Sequence, residues 1–215
     1  MVKDKNSILT EIEKRVAVCR ACPLWRYPKP VAGEGSADAR VFFIGEAPGY
    51  HESVQGRPFV GAAGKLLDQL LESINLQRNQ VFIGNMLKHR PPNNRDPEQS
   101  EMAACSGFLD EQLKTVKPEV IVTLGRFSLN KFLPDIYISQ AHGQVRKFNY
   151  LGLDFSLFPL YHPAAGLRNG QLLTALKDDF LRLGRFLGTI KTPPLKQEGV
   201  SLDKPPKEEQ LSLVN

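Results

Sequence analysis

The chain has 215 residues, 41% of them apolar and 24% charged, with a net charge of +5. Those are the fractions of an ordinary globular protein, and the length suffices for one domain with a sizeable core. No apolar run approaches the roughly 20 residues of a membrane span, and Met1-Val2-Lys3-Asp4-Lys5-Asn6 leads into no apolar signal core, so a cytoplasmic protein is expected, its mild basicity hinting at a polyanionic partner.

Residues 7–18 read as a helix with Leu9, Ile12 and Val16 on one face, running into Cys19-Arg20-Ala21-Cys22-Pro23-Leu24. Two thiols thus fall at a helix end. Three cysteines in all, two of them in a C-x-x-C, suit metal or redox chemistry better than a disulfide frame. Next comes Val41-Phe42-Phe43-Ile44-Gly45-Glu46-Ala47-Pro48-Gly49, an apolar run that stops on a Gly/Pro turn with a carboxylate inside it. It reads as a buried strand whose end lets the backbone approach a ligand. A second loop, Gly56-Arg57-Pro58-Phe59-Val60-Gly61-Ala62-Ala63-Gly64, enters a helical pattern of Leu66, Leu67, Leu70, Leu71 and Ile74. Neither loop has the spacing of a dinucleotide fingerprint, and a P-loop fails because Gly61 and Gly64 enclose two residues and Leu66 follows Lys65.

Strand candidates lie at 40–45, 80–85, 119–124 and 155–160, with helical patterns between the first three and after the last. That alternation predicts an α/β fold: a mainly parallel four-stranded sheet with helices on both faces. Asp96-Pro97-Glu98 reads as a helix start with Asp96 as cap, and Met102, Cys105, Leu109 and Leu113 facing inward. A last stripe of Leu172, Leu176, Phe180, Leu183 and Leu187 closes a domain expected to span 1–190. Residues 191–215, with paired prolines and no apolar period, read as a disordered tail.

The carboxyl ends of the four strands carry Glu46, then Asn85 with His89 and Arg90, then Gly125-Arg126, then Tyr161-His162-Pro163-Ala164-Ala165-Gly166-Leu167-Arg168. Polar groups from four segments therefore converge on one edge, where open α/β sheets bind ligands. Each has two readings. Cys19, Cys22 and Cys105 supply three soft ligands with His89 as a fourth, or they are ordinary buried thiols beside a surface imidazole. Asn85 is a ligand-facing amide or a turn cap. Phe59 is a stacking platform or a core anchor, and Glu46 is a site carboxylate or a partner of Arg57. His162 lies on a loop before a proline, outside any apolar stripe.

Taken together, Cys19-Arg20-Ala21-Cys22-Pro23-Leu24, Gly45-Glu46-Ala47-Pro48-Gly49, Gly56-Arg57-Pro58-Phe59-Val60-Gly61, Asn85, Arg90-Pro91-Pro92, Asn94-Arg95-Asp96-Pro97, Cys105 and His162-Pro163 resemble the family-4 uracil-DNA glycosylases, the iron–sulfur branch of that superfamily. The resemblance implies a three-layer α/β/α sandwich holding a uracil flipped out of DNA. It implies Gly45 and Ala47 against the base, Phe59 stacked on it, Asn85 on its Watson–Crick edge and His162 donating to O2. Glu46 would position or activate the water, with Glu52 as rival or as a wall against the methyl of thymine. Arg57, Arg90 and Arg168 would grip phosphates and Leu167 would wedge into the stack. Cys19, Cys22, His89 and Cys105 would hold a structural 4Fe-4S cluster, in preference to zinc. His89 stands where most relatives have cysteine, and a covalent uracil-capturing branch is similar in this; that branch has a longer basic loop with a second histidine, which the short Pro91-Pro92-Asn93-Asn94-Arg95-Asp96-Pro97 lacks.

The reading favoured is a monomeric, monofunctional glycosylase of base excision repair, nucleoid-associated. A non-turnover or covalent uracil-DNA binder and a zinc-stabilised nucleotide hydrolase using Glu46 and Glu52 remain open. Gln210-Leu211-Ser212-Leu213 resembles the short peptide by which bacterial repair proteins bind the sliding clamp, with Val214 in place of the usual aromatic.

Overall fold

The computed structural model describes residues 4–27 and 29–189; the tail and its clamp-like peptide lie outside them. A six-stranded sheet runs in the order β1-β3-β2-β4-β6-β5, with β1 Glu34–Gly35, β2 Val41–Gly45, β3 Phe82–Asn85, β4 Val120–Leu124, β5 Arg146–Tyr150 and β6 Leu153–Leu160. Its parallel centre, β3-β2-β4-β6, comprises the four expected strands. Two antiparallel edge strands, β1 on β3 and β5 on β6, enlarge the expected sheet from four strands to six. Their sequences hide them: β1 is two residues long, and β5 is half-buried and alternates with exposed polar positions. The β5–β6 hairpin turns through Leu151 and Gly152, both with positive φ, the geometry that suits the twist of paired strands.

Residues on β2 alternate between two cores. Val41 and Phe43 face α3 (Ala62–Glu72) and α8 (Gly170–Leu187) through Leu67, Leu70, Leu71, Leu176, Phe180 and Leu183. Phe42 and Ile44 face α4 (Gln99–Val116) through Leu109, Leu113 and Val116. Both sides of the strand are therefore dry, which is why its sequence is a continuous apolar run. The result is the three-layer sandwich, with α1 (Lys5–Ala17) packed outside α4 through Ile12 and Val16 against Phe108. Asp4 caps α1 by accepting from the Ser7 amide at 3.0 Å. Shorter helices α2 (Tyr50–Gln55), α5 (Arg126–Asn130), α6 (Ile138–Ala141) and α7 (Pro163–Arg168) follow the sheet edge and carry its loops.

The start of α4 corrects the sequence reading. Glu98, not Asp96, is the N-cap, in a reciprocal box with Glu101, whose Oε2 accepts from the Glu98 amide at 2.9 Å. Arg95 holds the buried Glu101 carboxylate with both terminal nitrogens. Pro97 keeps Asp96 out of the helical region, and its freed carboxylate pairs with Arg126 across the mouth of the site. Further down α4, Met102 is half-buried while Cys105, Leu109 and Leu113 point inward as expected.

Helix α8 closes the sheet through Phe180, fully buried and stacked on Phe43 with ring centroids 6.1 Å apart. Phe180→Ala should therefore cost about 3–5 kcal/mol, read as a lowered urea midpoint at unchanged slope.

Candidate active site

The carboxyl edge of the parallel strands opens into a cavity of about 540 Å³, within the range of small-molecule sites. Glu46, Phe59, Asn85 and His162, delivered by four separate segments, all line it, and Ala47, Glu52 and Arg168 join them. Gly45 lies beneath. A Cβ there would fall 2.3 Å from Asn85 Oδ1 and 2.7 Å from the Phe59 ring, so only glycine lets the amide and the ring meet.

Asn85 ends β3, is 2% exposed, and its Oδ1 has no hydrogen-bond partner. An orphaned buried acceptor is costly unless a ligand satisfies it. Its main-chain carbonyl accepts from the Lys88 ammonium at 3.0 Å, and Gln112 Oε1 takes a second Lys88 proton at 2.7 Å. Burial pulls Lys88 down to about 8.

Phe59 has φ +50° and packs against His162 with ring centroids 5.6 Å apart. His162 caps α7: its Nδ1 accepts from the Ala164 amide at 3.1 Å. Burial, reinforced by Arg168 and opposed by Glu52, pulls the imidazole down to about 4. It is therefore neutral near pH 7, and because Nδ1 is an acceptor the proton resides on Nε2. Burial, reinforced by Asp96 and opposed by Arg126, pushes the Glu46 carboxyl up to about 7.

Glu52 is differently employed. Its Oε1 accepts from the Val60 and Gly61 amides, both at 2.9 Å, fixing the loop ahead of α3. Arg57 does not reach Glu46; it pairs with Glu34 at 2.7 Å, outside the cavity. Arg90 donates to Asn94 Oδ1 at 2.7 Å and lies over the exposed Tyr50 ring, while Leu167 is exposed on α7. Arg126 and Tyr161, which the sequence placed at the converging strand ends without a chemical role, also line the cavity, as do Asn94, Arg95 and Asp96, to which sequence reasoning gave no site role. Asp96 escaped because it reads as a helix cap, and Asn94 and Arg95 because the signal they carry is only that of a turn before α4.

Behind the cavity, Cys22 and Cys105 pack with Leu24, Leu87, Met102 and Ala47. Cys19 lies close enough to couple electrostatically to both, the Lys88 amide donates to Cys105, and His89 is buried at the next position. Burial raises both the Cys22 and Cys105 thiols and lowers the His89 imidazole. Among the described residues no three such side chains group tightly enough for one metal ion. A cubane cluster makes a looser demand, because its four ligands attach to four separate irons: the three thiols match its soft donor set, and His89, next to the Lys88 amide that reaches Cys105, is a borderline fourth donor.

The uracil DNA glycosylase superfamily profile matches residues 32–183. The chain belongs to that superfamily. It is 44% identical to the type-4 uracil-DNA glycosylase of Sulfurisphaera tokodaii over 85% of this chain and 86% of that one. It is 40% identical to the type-4 enzyme of Thermotoga maritima over 85% and 96% of the two chains. A type-5 uracil-DNA glycosylase of Mycobacterium leprae is 29% identical over 85% and 96%. The superfamily assignment accords with the three-layer sandwich and with the convergence of strand ends on one cavity. No helix among the described residues is long and apolar enough to cross a membrane.

The environment of Glu46 predicts its own titration. Followed by carboxyl carbon NMR, it should titrate near pH 7 in the free protein; Asp96→Asn should lower that value and Arg126→Gln should raise it, since the first removes a like charge and the second an opposite one.

Proposed function

We propose that this protein hydrolyses the N-glycosidic bond of uracil in DNA, releasing free uracil and leaving an abasic site for base excision repair. The observation that carries this reading is the orphaned Asn85 Oδ1 under the Phe59 ring, facing a cavity shared with His162 and Glu46. One amide, with Oδ1 accepting from N3–H and Nδ2 donating to O4, matches uracil; cytosine offers the opposite pattern at both atoms. A site built to pair these atoms rejects the mismatched base strongly, because its buried groups would be left unpaired.

Phe59 stacks on the extruded ring. As the glycosidic bond breaks, its electron pair moves onto the base, and the neutral His162 donates from Nε2 to O2 where that charge gathers. A neutral donor is suited to this role because it needs no counter-ion in the buried site. Glu46, ionised above about pH 7, holds the water that attacks C1′, accepts its proton and faces the cationic sugar. Glu52 supports the Phe59 loop and stands beside the base. Arg168 at the cavity wall and Arg90 at its rim meet phosphates, Arg57 further out lends positive charge, and Leu167 fills the gap left in the stack. Cys19, Cys22, Cys105 and His89 would hold the 4Fe-4S cluster, which would supply structural cross-linking of the loops that pack around Cys22 and Cys105, behind Ala47 and Leu87. The enzyme acts as a monomer.

Three outcomes with a uracil-containing oligonucleotide test the proposal. Free uracil with multiple turnovers supports it; a stable protein–DNA adduct or inertness overturns it. Asn85→Asp loses the donor to O4 and should lower uracil excision at least ~100-fold relative to any residual cytosine excision; unchanged rate and selectivity would show that the amide is not the reader. The acid limb follows from Glu46. Because its ionised form is the active one, kcat/KM should fall as pH drops through about 7, and Glu46→Gln should remove that limb together with roughly 100-fold or more of the rate.

The clamp peptide at residues 210–215 belongs to the same proposal as a tether that raises local concentration at replicating DNA. Deleting those residues should abolish clamp pull-down and spare excision; loss of neither, or of both, counts against a tether.

A further inference from the structure

Arg78 lies outside the cavity, in the turn Arg78–Gln80 ahead of β3, and lines a separate cleft with Glu34, Arg57 and Gln77. Its side chain is only 20% exposed, and its nitrogens are spent on a specific pattern. Nη1 donates to the Phe59 carbonyl at 3.1 Å and to Asp68 Oδ1 at 3.0 Å; Nη2 donates to the Pro58 carbonyl; Nε donates to Glu34 Oε1 at 2.6 Å. One planar fork therefore binds two consecutive carbonyls of the loop that presents Phe59, while two carboxylates balance its charge. Phe59 needs that support. Its φ of +50° is one that a side-chain-bearing residue keeps only where the surroundings impose it.

The same loop is gripped from the other end. Glu52 takes the next two amides, Val60 and Gly61, and Gly64 makes room below: a Cβ there would lie 1.9 Å from the Phe59 carbonyl oxygen. Carbonyls 58 and 59 on one side and amides 60 and 61 on the other leave the ring little freedom to tilt. From this arrangement we infer that Arg78 is a positioning residue, which sets the angle of the stacking ring from outside the site through the main chain of Phe59. The inference rests on the reading of Phe59 as the surface that the extruded base stacks on.

Lysine cannot reproduce it, since an ammonium lacks the planar fork that reaches both carbonyls and both carboxylates at once. Stacking favours the bound base in ground and transition states alike, so its loss should appear in KM more than in kcat. The test is a double-mutant cycle of Arg78→Lys and Phe59→Ala on a uracil oligonucleotide, each variant assayed where its circular dichroism matches the parent. Arg78→Lys should raise KM about 10-fold with kcat within about 2-fold, and in the Phe59→Ala background it should add less than about 2-fold, because the two changes remove one interaction. Asp68→Asn, which loosens Arg78 without touching the loop, should move KM in the same direction by less. Multiplicative effects in the double variant, or a lowered Tm with unchanged KM in both Arg78→Lys and Asp68→Asn, would overturn the inference. If Phe59→Ala is defective but Arg78→Lys binds normally, the inference alone fails; if Phe59→Ala itself keeps the parental KM, the stacking reading fails and takes the inference with it.

Discussion

The close approach at Gly45 governs the rest of the site. The Asn85 amide and the Phe59 ring both rest against a main chain without a side chain at the end of β2, and any Cβ there would strike both. Because β2 and β3 are parallel neighbours in register, Gly45 and Asn85 are paired residues, so sheet geometry sets the depth of the amide. The Phe59 loop is then brought over it by hydrogen bonds to Arg78 and Glu52 and by burial of its ring in the core beside His162. The hydrophobic sandwich fixes the strands; a small set of polar clamps fixes what the strands present.

Electrostatics divides the labour within the cavity. His162 and Glu46 are both drawn toward their neutral forms by burial, but with opposite consequences. A neutral imidazole keeps one N–H free to donate into the cavity across the whole physiological range. A carboxyl near 7 is poised as a base, and the Asp96–Arg126 pair at its side tunes it from both directions. The carboxylate of Glu52, tied to two amides, is a scaffold for the stacking loop as much as a face of the pocket.

Much of this was legible in the sequence because the signals are local. An apolar run buried on both faces, as in Val41-Phe42-Phe43-Ile44, announces a central strand, and the polar residue directly after each such run falls at the site edge. What escaped depends on partners far along the chain. Asp96 reads as a cap until Glu98 and Glu101 close their own box and Arg126 claims the freed carboxylate. Arg57 is a plausible phosphate ligand in its loop until Glu34, 23 positions earlier, is seen to hold it. The edge strand β5 lacks a buried face strong enough to mark it, and Arg78 carries no motif at all.

In the proposed reaction one amide and one imidazole read a single extruded pyrimidine. Nitrogen-edited NMR of the Asn85 side-chain amide and the His162 ring, recorded on addition of free uracil and then of cytosine, tests it most directly. Uracil should shift the Asn85 amide protons and the His162 Nε2–H together, while cytosine at the same concentration leaves both in place. Equal shifts with the two bases, or uracil-induced shifts confined to residues outside the cavity, would contradict it.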